Sequence, residues 1–99
     1  MNRAAATPIL QIENERMRVT QWRFAPGAAT GFHRHEYDYC VVPLLSGRLG
    51  IESKDGTSEA ELVAGRSYFR KAGVEHDVVN INPFEFAFVE IELKEKARE

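Results

Sequence analysis

A single cysteine, Cys40, occurs in 99 residues. No disulfide can form within the chain, so a disulfide-stapled secreted scaffold is excluded, and a lone thiol fits a reducing compartment. An excess of one charge is lacking as well: 13 Lys and Arg stand against 15 Asp and Glu, a net charge of −2, with the two signs interspersed. The basic patch that marks nucleic-acid binding is therefore missing. Long apolar runs are also absent. No segment approaches the ~20 apolar residues of a membrane span, and residues 1–10 lack the apolar core of a signal peptide. The expectation is a cytoplasmic protein with neither nucleic acid nor membrane as partner.

What is present is a chain that is 43% hydrophobic, sufficient for one core and one domain over 1–99. Short alternating or apolar runs are separated by Gly, Pro, Asn and Asp, the pattern of an all-β sandwich or barrel. Strands are predicted over 18–24, 31–35, 40–45, 48–52, 57–62, 67–70, 75–81 and 84–93. Asp55-Gly56 joins the fourth and fifth as a hairpin, with glycine taking the positive φ. Pro43 cannot donate to a ladder, so its strand either lies at an edge there or is bulged. In the last strand Phe84, Phe86 and Phe88 share one face, and Ala87, Val89, Ile91 and Leu93 the other. The phenylalanines are read as core, the alternative being a subunit interface or pocket wall. Residues 94–99 read as a charged, solvated tail.

Only three histidines occur, and two of them, His33 and His35, are one residue apart in a predicted strand, which points both side chains to one face. His76 opens another apolar run, and a sheet folding back on itself would bring it opposite the pair. Three neutral imidazoles suit a divalent transition metal such as Fe, Mn, Zn or Ni. The other reading makes them polar core residues. Tyr37 and Tyr39 continue the alternation of His33 and His35, so one of them can donate a hydrogen bond or proton to a substrate. Glu36, Asp38, Glu75 and Asp77 fall at odd offsets and are read as outward, solvated charges.

The spacings Gly27-x5-His33-x-His35-x4-Cys40-x6-Gly47 and Gly65-x5-Lys71-x-Gly73-x2-His76-x3-Asn80 resemble the two motifs of the cupin family, of the small RmlC-like kind. The family places glutamate at Cys40 and proline at Lys71. The resemblance implies a single cupin barrel, a double-stranded β-helix or jelly roll with its core over about 17–93. It implies a metal held by His33, His35 and His76. The usual glutamate ligand is replaced either by Cys40 or, with a spacing one shorter, by Tyr39. Cys40 is read as a buried hydrophobe rather than a ligand. Three-histidine cupins without the glutamate include the thiol dioxygenases.

Asn80 is read as structural, satisfying backbone groups at a strand end, and Lys71 as solvated. Since this fold hosts many functions, two readings stand. One is a metal-dependent enzyme acting on a small organic molecule, anions among the candidates, of dioxygenase, isomerase or lyase type. The other is a non-catalytic ligand-binding or sensory cupin. Exposed strand edges favour association, and the expected assembly is a homodimer formed through the final or the N-terminal strand.

Overall fold

A computed structural model of the protein describes residues 3–94. It is all-β, built from β1 (Thr7–Glu13), β2 (Met17–Phe24), β3 (His33–Arg34), β4 (Asp38–Pro43), β5 (Gly47–Ser53), β6 (Gly56–Leu62), β7 (Tyr68–Arg70), β8 (Glu75–Asn80) and β9 (Phe86–Leu93). Two antiparallel sheets face each other, one in the order β1-β2-β9-β4-β7 and the other β3-β8-β5-β6. This is the jelly-roll arrangement that the alternating runs imply. The charged tail expected over 94–99 lies, apart from Lys94, outside the described residues.

The core fills the space between the sheets. Tyr39, Val41, Phe24, Phe86 and Phe88 come from one sheet, and Leu49, Leu62 and Val78 from the other. Alternation explains the selection, because only every second residue of a strand faces inward. Phe24 and Phe88 pack with ring centroids 5.5 Å apart. Burying a phenylalanine as completely as Phe24 or Phe86 contributes about 2 kcal/mol each. Phe84 departs from the expected core. Residues 82–85 form the turn after Asn-Pro, so β9 begins only at Phe86 and Phe84 is 42% exposed.

Pro43 ends β4 opposite Phe88 of β9, whereas β7 pairs with β4 only as far as Val41. The missing N–H therefore falls where the strand has become an edge, and the Pro43 carbonyl accepts a hydrogen bond from Gly65 N–H instead. In the β5–β6 hairpin Ser53 pairs with Gly56, which takes φ +124°. The two-residue turn is thus Lys54-Asp55, with the glycine as the first residue of the returning strand.

Asn80 is 1% exposed, and its side chain joins three segments. Nδ2 donates to the carbonyls of Phe24 (3.1 Å), Ala25 (3.3 Å) and Phe84 (2.9 Å), while Oδ1 accepts from Asn82 N–H (2.9 Å). This is the structural role expected of it. A Cβ at Gly47 would lie 2.8 Å from Asn82 Oδ1, so glycine there permits the close approach on which this network depends.

Candidate metal centre

The predicted strand over 31–35 shrinks to His33–Arg34, yet the histidine pair still shares a destination. His33 lies directly opposite His76 in the β3–β8 ladder, which puts the two side chains on one face. His35 follows the strand's end, and its main chain is held by two backbone hydrogen bonds: its N–H donates to Val74 O (2.9 Å), and its carbonyl accepts from Gly73 N–H (2.8 Å). Gly73 takes φ +101°, a turn conformation open to glycine, directly ahead of β8. The second motif's glycine thereby fixes both the entry to His76 and the backbone of His35.

The three rings converge. His35 Nε2 lies 3.0 Å from His33 Nε2 and 3.1 Å from His76 Nε2. His33 Nδ1 sits 2.8 Å from the Gly31 carbonyl, an acceptor that holds a proton on Nδ1 and turns Nε2 toward the other two rings. Burial pushes the His35 imidazole down to about 4, helped by His33 and His76. Burial does the same to His76, with His33 adding and Asp77 opposing. Both rings are therefore neutral at physiological pH. Nitrogens ~2.1 Å from one ion stand ~3.0 Å apart at right angles, which is the spacing of these rings. These residues can hold a metal ion.

No carboxylate joins the triad among the described residues. Of the two residues that stand in the glutamate's place, Tyr39 faces the cavity and stacks on His35, with centroids 3.9 Å apart and planes 15° from parallel. Burial pushes its phenol above the ordinary tyrosine value. Cys40 points to the opposite face of the sheet, where its cross-strand partners are Phe69 and Ile91. It is half-buried rather than buried, because the outer face of β4 is only partly covered. The thiol lies outside the histidine cluster, as expected.

A cavity of about 470 Å³ opens beside the triad between the sheets. Tyr39 lines it, whereas Tyr37 does not. β3 ends at Arg34, so residues 35–37 form a loop and the alternation that linked Tyr37 to His33 is broken. The Tyr37 hydroxyl bonds Glu36 instead, which raises its pKa. Trp22 and Tyr68 also line the cavity, while Phe32 and Phe69 are exposed. Asp77 is tied to the Gly31 N–H (3.1 Å) and Asp38 to the Ala72 N–H (2.8 Å), so these two brace turns instead of standing as free solvated charges.

Glu36, expected as an outward solvated charge, lines the cavity as well, and among the charged lining residues that the sequence reading did not single out are Arg18, Arg34, Glu90 and Glu92. Arg18 bridges to Glu92 at 3.5 Å and to Glu13 at 3.1 Å. Glu90 is 9% exposed, and burial, with Glu92 adding to it, pushes its carboxyl up to about 7 against the lowering effects of Trp22 and Arg18. The signal was present in the strand's period of two. The face that begins with Phe86 and Phe88 continues through Glu90 and Glu92.

Comparison with known proteins agrees with this geometry. The Cupin domain family matches residues 20–92. The chain is 55% identical over 92 residues to the beta-alanine degradation protein BauB of Pseudomonas aeruginosa, covering 93% of this chain and 97% of that protein. A crystal structure of a cupin domain from Bordetella pertussis Tohama I is 52% identical, with a TM-score of 0.94 over 96% of this chain and 99% of the other. The polyketide cyclase RemF of Streptomyces resistomycificus, at 20% identity, shares the fold with a TM-score of 0.72 over 99% of this chain and 73% of its own. With both motif histidine sets in place and the family matched along most of its length, the chain belongs to the cupin family.

Proposed function

We propose that this protein is a metal-dependent cupin enzyme acting on a small carboxylic acid inside its barrel, in the breakdown of β-alanine or a close relative of it. The observation that carries this reading is the convergence of three imidazoles at 3.0 and 3.1 Å on the wall of a cavity sized for a small molecule. The substrate class is drawn from the 55% identical protein, whose name places it in β-alanine degradation. His33, His35 and His76 would hold a divalent transition ion, which would supply Lewis acidity toward a substrate oxygen. With no carboxylate beside the triad among the described residues, the site would favour an anionic substrate group. Tyr39 fixes the plane of His35 by stacking, and Trp22, Val41, Leu49 and Phe88 give part of the cavity an apolar lining.

The test is elemental analysis of protein purified without added metal or histidine tag, followed by NMR of β-alanine incubated with that protein. About one ion per chain and consumption of substrate are expected. Full metal content without turnover would favour the ligand-binding alternative, and wild-type protein that takes up no metal would remove the metal reading altogether.

We further propose a cytoplasmic homodimer. Among the described residues no helix is long and apolar enough to cross a membrane. β9 lies between β2 and β4 and has no free edge, whereas β1 is the outer strand of its sheet. Every residue of β1 is exposed, including Ile9, Leu10 and Ile12. An apolar edge of this kind is what a second copy would cover.

A further inference from the structure

The two walls of the cavity differ in chemistry. His33 and His76 stand on the sheet containing β3 and β8, while Glu90 and Glu92 stand on the opposing sheet, on β9. Register explains how the acids arrive there. In the ladders of β9 with β2 and β4, Glu92 lies beside Arg18 and Tyr39, Glu90 beside Thr20 and Val41, and Phe88 beside Trp22 and Pro43. The inner face of this sheet thus passes from an apolar floor to a carboxylate pair.

The two acids are not equivalent. Glu92 has Arg18 as its cation, and Arg18 is shared with Glu13. Glu90 makes no ion pair among the described residues, and its one side-chain partner is the Trp22 indole N–H. A carboxyl only 9% exposed on a cavity wall, with Arg18 near enough to act on it but ion-paired to Glu13 and Glu92 instead, carries a desolvation cost that its own surroundings only partly offset. A cationic ligand group seated there would offset that cost.

We propose that Glu90 is the specificity-determining residue of the cavity, its carboxylate receiving the amino group of a small amino acid whose own carboxylate points toward the histidine triad. The inference rests on the reading of the substrate as β-alanine or a close relative, and it adds the residue that distinguishes an amino acid from a simple carboxylic acid. A buried acid binds an ammonium group well because the pair is shielded from water, and the same shielding makes the lone acid hold its proton. Glu92 on its own strand and Arg18 on β2 act on Glu90, which in turn raises Tyr39 on β4 and Tyr68 on β7, and Arg34 of β3 and Glu36 line the same cavity. The histidines line the same cavity from the other sheet. With Arg18 already engaged by two carboxylates, an incoming ammonium is the cation that would draw the proton off.

Calorimetric titration of the purified, metal-loaded protein with β-alanine and with butyrate tests this, since butyrate replaces the ammonium by a methyl group at equal length. Wild type is expected to bind β-alanine at least about 10-fold more tightly than butyrate. Glu90→Gln should lose that preference while its butyrate affinity stays within about 2-fold. Titration of wild type at pH 6 in buffers of different ionisation enthalpy gives a second readout that needs no variant: β-alanine should release a proton on binding and butyrate should not. If β-alanine binds wild type but Glu90→Gln keeps the preference, or if no proton is released, the role of Glu90 is overturned and the substrate reading survives. If neither compound binds wild type, the substrate reading falls and this proposal falls with it.

Discussion

The phenol ring of Tyr39 stacks on the imidazole of His35, with centroids 3.9 Å apart and planes 15° from parallel. Of Tyr39 and Cys40, the two residues that can stand for the family's glutamate, it is the one that faces the triad, and it contributes a flat surface instead of a charge. His35 lies beyond the end of β3 and is positioned by backbone hydrogen bonds and by this ring. Tyr39→Ala should therefore weaken metal affinity by about 10-fold, the usual cost of losing a group that orients a ligand. Tyr39→Phe should keep it. Competition with a chelator of known affinity measures both, and equal loss in the two variants would assign the effect to the hydroxyl.

Cys40 and His76 make opposite predictions. His76→Ala should remove most of the bound metal, because two remaining imidazoles hold an ion poorly. Cys40→Ser should leave the metal content unchanged, since the thiol faces away from the cavity beside Phe69 and Ile91. Elemental analysis of the two purified variants decides the matter. Metal loss in Cys40→Ser equal to that in His76→Ala would make the thiol a ligand.

Stability of the metal-free protein should depend on pH through two opposed effects. His35 and His76 are depressed to about 4 from the ordinary 6.5, so between these values the unfolded chain binds more protons. Their contribution to stability is present above 6.5 and is lost as pH falls toward 4. Glu90 is raised to about 7 from 4.5, so between those values the folded chain binds more protons, and the protein loses stability as pH rises through that window. Glu90→Gln should remove this second loss, on the order of 3 kcal/mol at most. Thermal denaturation of both proteins from pH 5 to pH 8 tests it, and parallel curves would show that Glu90 titrates normally.

Asn80→Ala should destabilise the fold by about 3 kcal/mol, because the carbonyls of Phe24, Ala25 and Phe84 lose a common donor in a buried site. Metal content per folded molecule should not change. Urea denaturation supplies the first quantity and elemental analysis the second.

Light scattering should report a dimer for wild type. Leu10→Lys, which places a charge on the exposed edge strand β1, should shift it toward monomer. A monomeric wild type at working concentration would discard β1 as a subunit contact.

The sequence by itself determined the fold class and the metal-ligand candidates, because both depend on local spacing. The period of two places His33 and His76 on inward faces, turn glycines such as Gly73 are required wherever φ is positive, and Asn80 carries more donors and acceptors than a strand end can leave unused. Tertiary structure decided whatever depends on where a strand stops and what faces it. β3 ends at Arg34, so Tyr37 leaves the alternation while Tyr39, on the next strand, returns to it. The position of Glu90 on an inner wall, opposite the histidines and outside the ion pairs of Arg18, follows from the pairing of β9 with β2 and β4. Cross-strand register is set by contacts between distant segments, and no local pattern in residues 86–93 specifies which neighbours those segments will be.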